Sequence, residues 1–161
     1  MKAITVQHLE SVWASAPKGV RLLGIDQGTK TLGLALSDPD QRVVTPLKTI
    51  PRTKLEADVK ALQIVIQDYG IGGLIIGWPV NMDGKPGPRA QSVRDYLTLL
   101  IPALDNIWWA VWDERLTSDT AHRKITDDLD MTFHKRKQTI DALAAQTILQ
   151  DALNFVAAQR H

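Results

Sequence analysis

At 161 residues, with 44% hydrophobic and 23% charged side chains, the chain has the size and balance of one water-soluble globular domain, which leaves no room for a second full domain and excludes a disordered chain. Zero cysteines exclude disulfides, thiolate metal sites and cysteine nucleophiles, so any chemistry must come from carboxylates, hydroxyls, His, Lys or Arg. A net charge of +1 does not mark a nucleic-acid binder, so attraction to phosphate has to be local, and basic residues do gather at Arg115, Arg123, Lys124 and at Lys135, Arg136, Lys137. No apolar run approaches the ~20 residues that a bilayer requires. The opening residues mix charged and apolar positions, unlike a secretion signal, and a cytoplasmic location is expected.

Residues 1–19 read as an N-terminal extension, with a turn or two of helix around 7–15 stopped by Pro17 and Gly19; residues 20–161 form the single domain. Apolar runs at 21–26 and 31–37 flank Gln27-Gly28-Thr29-Lys30 and predict a hairpin. The β-branched stretch 43–50 is a third strand, and Pro46 inside it calls for an edge position or a bulge. Thr53 is a candidate N-cap for a helix over 54–69, whose apolar positions Leu55, Val59, Leu62 and Ile66 recur at helical spacing before Gly70. The wholly apolar run 74–77 predicts a strand buried on both faces, hence a parallel sheet. A turn-rich loop (78–84), a helix (89–100), a strand (107–112), a helix (118–129), a basic loop and a long helix (140–158) complete the order. The fold class is α/β: a five-stranded mixed sheet, three antiparallel strands plus parallel ones, flanked by helices, with ligands at strand ends.

Three acids stand in places that need a reason. Asp26 shares a face with Leu22 and Gly24 at the last position of its strand, where Gly28 lets the backbone turn close to a ligand and Thr29 and Lys30 offer a hydroxyl and a cation to phosphate. An Asx turn at Asp26 is the competing explanation. Glu114 is in phase with Ala110 and Trp112, so Asp113 points the other way, either behind Glu114 or to the surface. Trp108, Trp109 and Trp112 lie within a strand and are read as core rather than as base-stacking platforms. Asp141 heads an apolar stripe of Ala145, Ile148, Ala152 and Phe155; a buried carboxylate needs a partner, although an acid in a first helical turn also favours the helix dipole. Convergent carboxylates suit Mg²⁺ (or Mn²⁺), and such ions serve phosphodiester hydrolysis.

Four ordered blocks carry a resemblance: Gly24-Ile25-Asp26-Gln27-Gly28-Thr29-Lys30 with Gly33 and Ser37-Asp38; Gly77-Trp78-Pro79-Val80-Asn81-Met82-Asp83-Gly84; Asp113-Glu114-Arg115-Leu116-Thr117; and Ile140-Asp141-Ala142-Leu143-Ala144-Ala145 with Ile148-Leu149-Gln150. Together they resemble the YqgF-type (RuvX-like) pre-16S rRNA nucleases, relatives in fold of Holliday-junction resolvases. The resemblance implies a ribonuclease H-like fold, with Asp26, Glu114 and Asp141 as catalytic residues and metal ligands, and a role in maturing the 5′ end of 16S rRNA. Thr29, Lys30, Asn81, Arg115, Lys135, Arg136 and Lys137 are then candidates for contact with the nucleic acid, and Gly28 and Asp113 for supporting the ligands. The expected partner is precursor rRNA rather than a DNA junction, and the expected assembly a monomer or weak homodimer. Gln27 departs from the small or apolar residue usual at its position, and the first twenty residues lie outside the blocks.

Three rival readings remain. A DNA junction resolvase would use the same chemistry as a symmetric dimer. A non-catalytic RNA-binding or assembly factor would keep the fold without the reaction. Asp-Gln-Gly-Thr also resembles a phosphate loop of actin-like sugar kinases, but these need two such domains around the nucleotide.

Overall fold

The computed structural model describes residues 2–80, 83–116 and 133–160, with residues 133–139 as backbone only. Five strands, β1 (Arg21–Gln27), β2 (Thr31–Ser37), β3 (Val44–Pro51), β4 (Ile71–Trp78) and β5 (Trp108–Asp113), form one sheet in the order β3-β2-β1-β4-β5. The β1–β2 and β2–β3 pairs are antiparallel, and β1–β4 and β4–β5 are parallel. This is the mixed sheet that the apolar patterning predicts. The continuous apolar run of β4 needs cover on both faces and lies between two strands. Pro46, which can donate no ladder hydrogen bond, sits on the edge strand β3 beside a register shift between Leu34 and Ala35.

Alternation along the strands builds two cores. Leu23, Ile25, Leu74, Ile76, Trp109 and Val111 pack against α2 (Leu55–Tyr69) and α3 (Pro88–Leu100). Leu22, Ile75, Ala110 and Trp112 pack against α4 (Phe133–Gln159), whose Ala145, Ile148, Leu149 and Ala152 are buried. Trp109 and Trp112 are therefore core, as read from the sequence.

Two boundaries differ from expectation. The final helix begins at Phe133, so 135–137 lie within helical backbone and not in a loop; Lys, Arg and Gln favour helix, and no Gly or Pro interrupts them. Thr53 is not the N-cap of α2. Lys54 occupies that place without a side-chain bond, and the Thr53 N–H donates to Asp58 Oδ1 at 3.1 Å. Gly70 does end the helix, in the left-handed region at φ +63°. The expected helix over 118–129, with Arg123 and Lys124, lies outside the described residues.

Asp58 is buried and also accepts a bond from the Tyr96 hydroxyl at 2.7 Å, while Arg52 lies 4.1 Å over the Tyr96 ring. This network joins α2, α3 and the end of β3. Tyr96→Phe removes a donor from a buried carboxylate and is expected to cost about 1–3 kcal/mol in urea unfolding. An unchanged midpoint would refute that role.

The N-terminal segment lies along the outer edge of β5. The Val111 N–H donates to the Gln7 carbonyl at 2.7 Å, and Leu9, in α1 (Leu9–Val12), is buried. Backbone groups of an edge strand thereby find partners within the chain. Among the described residues no helix is long and apolar enough to cross a membrane.

Candidate active site

Asp26 lies on the α4 side of β1, directly opposite Gly33 of β2. The β1–β4 register pairs Ile25 with Ile76, which brings Gly77 alongside Asp26 on the other flank. Both flanking glycines matter because of what lies over them. A Cβ on Gly33 would stand 2.1 Å from the backbone oxygen of Asp141, and one on Gly77 would stand 2.7 Å from Glu114 Oε1. The missing side chains let α4 and Glu114 settle onto the sheet on either side of Asp26. Gly24 serves the same approach further along, since a Cβ there would be 2.8 Å from Leu149 Cβ.

Glu114 follows the last residue of β5, in a single 3₁₀ turn (Glu114–Leu116), on the side expected from Ala110 and Trp112. Asp141 lies well inside α4 and not in its first turn, so a favourable place in the helix dipole does not account for it. Its Oδ2 instead accepts a 2.7 Å hydrogen bond from the Thr31 hydroxyl.

Electrostatics ties the acids together. The Asp26 carboxyl is pushed up to about 7, first by burial, then by the charge of Glu114 and, more weakly, of Asp141, against the opposing charge of Arg89. Glu114 is also raised, chiefly by burial, with Arg89 opposing and Asp113 adding. Arg89 Nη1 lies 3.5 Å from Glu114 Oε2. Among the described residues no three acidic or imidazole groups close on one ion-sized point. Asp26 is the carboxyl that the charges of both other acids push upward.

Thr29 and Lys30 are exposed at the tip of the β1–β2 hairpin, where the Gly28 N–H donates to the Thr31 carbonyl at 2.8 Å. A Cβ on Gly28 would lie 3.3 Å from that same oxygen, so its place is tight, although its φ is not positive. Asp113 points to the opposite face and is engaged by Arg115 through a forked pair, with Nη2 2.6 Å from Oδ2. Burial lifts the Asp113 carboxyl, but the Arg115 side chain and backbone N–H outweigh it and hold it below the usual carboxylate range. The guanidinium of Arg115 is thus committed within the protein, beside Gly84. Asn81 and the side chains of Lys135, Arg136 and Lys137 lie outside the described residues.

Sequence reasoning missed Thr31 and Arg89. Thr31 was within reach, because it is two positions from Gly33 and so shares its strand face. Nothing in the local sequence marks Arg89, which meets Glu114 only because the fold brings the start of α3 to the turn that follows β5.

Residues 20–155 match the family model described as RuvX, Holliday junction resolvase, which spans most of the chain. The chain belongs to the RuvX family. That family is one of nucleases, so the RuvX chain is a phosphodiester-hydrolysing enzyme and the sugar-kinase reading falls away. A protein of Chelativorans sp. (strain BNC1), named "Putative pre-16S rRNA nuclease", is 42% identical over 160 residues, covering 99% of this chain and 97% of its own. One of the same name from Rhodospirillum centenum is 41% identical over 155 residues, covering 94% and 82%. Among solved structures, T. thermophilus RuvC in complex with Holliday junction substrate superposes with a TM-score of 0.53 at 10% identity, covering 88% of this RuvX chain and 96% of that one. This likeness bears on the fold alone, which is ribonuclease H-like as the four blocks imply.

Proposed function

We propose that this chain is a metal-dependent nuclease acting on precursor 16S rRNA at its 5′ end, with Asp26, Glu114 and Asp141 as its catalytic, metal-holding residues. The observation that carries the reading is the position of Asp26 between two glycines, each of which lets another acid come down beside it. The names of the relatives support the substrate.

The donor set suits Mg²⁺ or Mn²⁺: it is all oxygen, and two of its carboxyls are raised by burial, with neighbouring acids adding to the shift, a strain that a cation relieves. Asp26, Glu114 and Asp141 would be the residues that hold such an ion. Bound divalent ions would activate the attacking water and neutralise charge at the scissile phosphate. The chain's own part is positioning. Thr31 fixes one oxygen of Asp141 and leaves the other for a ligand, the 3₁₀ turn aims Glu114 back over Gly77, and Arg89 balances charge at the rim. Thr29 and Lys30 at the hairpin tip, Asn81, and Lys135, Arg136 and Lys137 would hold the phosphates of flanking nucleotides. Arg115 would serve with Asp113 as a brace for the turn that carries Glu114. The proposed setting is the cytoplasm, as a monomer or weak homodimer, with residues 1–19 as an N-terminal extension packed against the β5 edge of the catalytic domain.

The family description favours a second reading, cleavage of DNA junctions. The test offers purified protein precursor 16S rRNA, single-stranded RNA and a four-way DNA junction side by side, with Mg²⁺, Mn²⁺ or a chelator. Cleavage of the precursor near its 5′ end, lost in chelator, is the expected result. Cutting of the junction alone would transfer the proposal to DNA, and no cutting of any substrate would overturn it.

A further inference from the structure

We propose, resting on the nuclease reading above, that Arg89 is a phosphate-binding residue of this site: in the free protein it shields the acids, and it turns to a phosphate of the nucleic acid once divalent ions hold them. Its backbone is firmly set. Pro88 fixes the first position of α3, the Gln91 N–H donates to the Gly87 carbonyl at 3.0 Å, and Ala90 and Val93 are buried in the core. Its side chain is not. It is 62% exposed, and its 3.5 Å approach to Glu114 is a loose ion pair rather than a well-formed hydrogen bond.

The charge of Arg89 acts on Asp26 and on Glu114 alike, so one guanidinium serves both acids. Among the described residues, neighbouring arginines are otherwise engaged. Arg115 is forked onto Asp113, Arg52 is bonded to the Gly28 carbonyl and stacked on Tyr96, and Arg94 donates to the Ile4 carbonyl. A planar guanidinium on a fixed base, weakly held beside Glu114, is suited to a phosphate that arrives with its own counterions.

The test uses the full chain with Arg89→Ala and Arg89→Lys and has two readouts that move in opposite directions. Titration calorimetry with Mn²⁺ alone reads shielding. Binding of a short single-stranded RNA in Ca²⁺, over a series of salt concentrations, reads phosphate contact. Arg89→Ala is expected to weaken RNA binding by roughly 10-fold, to reduce the salt slope by about one, and to tighten Mn²⁺ binding. Arg89→Lys should keep most of the slope while losing affinity. An RNA affinity and slope unchanged in Arg89→Ala would overturn the phosphate role, and an Mn²⁺ affinity that is unchanged or weaker would overturn the shielding. Asp26→Asn run alongside separates the two readings. If it loses Mn²⁺ binding while Arg89→Ala behaves as wild type, the arginine assignment alone fails. If the wild-type protein takes up no Mn²⁺, the nuclease reading fails with it.

Discussion

Asp26→Asn is expected to yield a folded protein whose Mg²⁺-dependent cleavage falls by more than about 100-fold, since loss even of groups that only support metal ligands costs 10–100-fold. The same substitution carries a stability signature with a definite sign. Folding raises the Asp26 carboxyl from 3.8 to about 7, so the folded state holds that proton more tightly than the unfolded chain does. The stabilisation by protonation is complete below about pH 4 and is lost as the pH climbs to about 7, up to about 2–4 kcal/mol after allowing for partial exposure. Glu114, also raised, adds in the same direction. Without metal, the wild-type protein should therefore melt at a lower temperature at about pH 8 than at about pH 5, and Asp26→Asn should flatten much of that difference. Mg²⁺ should restore the wild-type protein at the higher pH and leave the variant unmoved. Parallel melting profiles for the two proteins in chelator would show that Asp26 is not the strained group.

Gly33→Ala is expected to damage both stability and activity. The added Cβ would lie 2.1 Å from the backbone oxygen of Asp141, and a helical carbonyl cannot swing aside as a flexible side chain can. Either α4 lifts or β2 bends, at about 1–3 kcal/mol or more for overpacking. Lifting α4 also draws Asp141 away from Thr31 and Asp26, so cleavage should fall even at temperatures where the variant is fully folded. Gly70→Ala is the control. It strains a left-handed helix end with open space around it, and should cost about 1 kcal/mol while leaving cleavage per folded molecule intact. Urea unfolding and initial rates measure the two effects separately, and wild-type activity in Gly33→Ala would remove the glycine from the account of how the acids meet.

Much of this was legible along the chain because it rests on local periodicity. Strand alternation put Glu114, rather than Asp113, on the side of Ala110 and Trp112, and the same counting put Asp26 on the side of Leu22 and Gly24. Pro46 marked an edge strand because a missing N–H has the same consequence in any sheet. The boundary of α4 and the cap of α2 were misread where a tertiary contact or plain helix propensity overrode a local signal. Asp58, held by Tyr96 from a different helix, takes the N–H of the residue that looked like a cap.

By itself the sequence determined the fold class, the two faces of the sheet and the placement of Asp26 and of Glu114, rather than Asp113, on the face of Leu22 and Ala110, because these follow from the two-residue period of strands and the burial of apolar runs. Only the tertiary structure decided that Gly33 and Gly77 flank Asp26, that Arg115 is spent on Asp113, and that Arg89 reaches Glu114. Those facts depend on strand order, register and helix placement, which join residues distant along the chain and leave no trace in the spacing of any one segment.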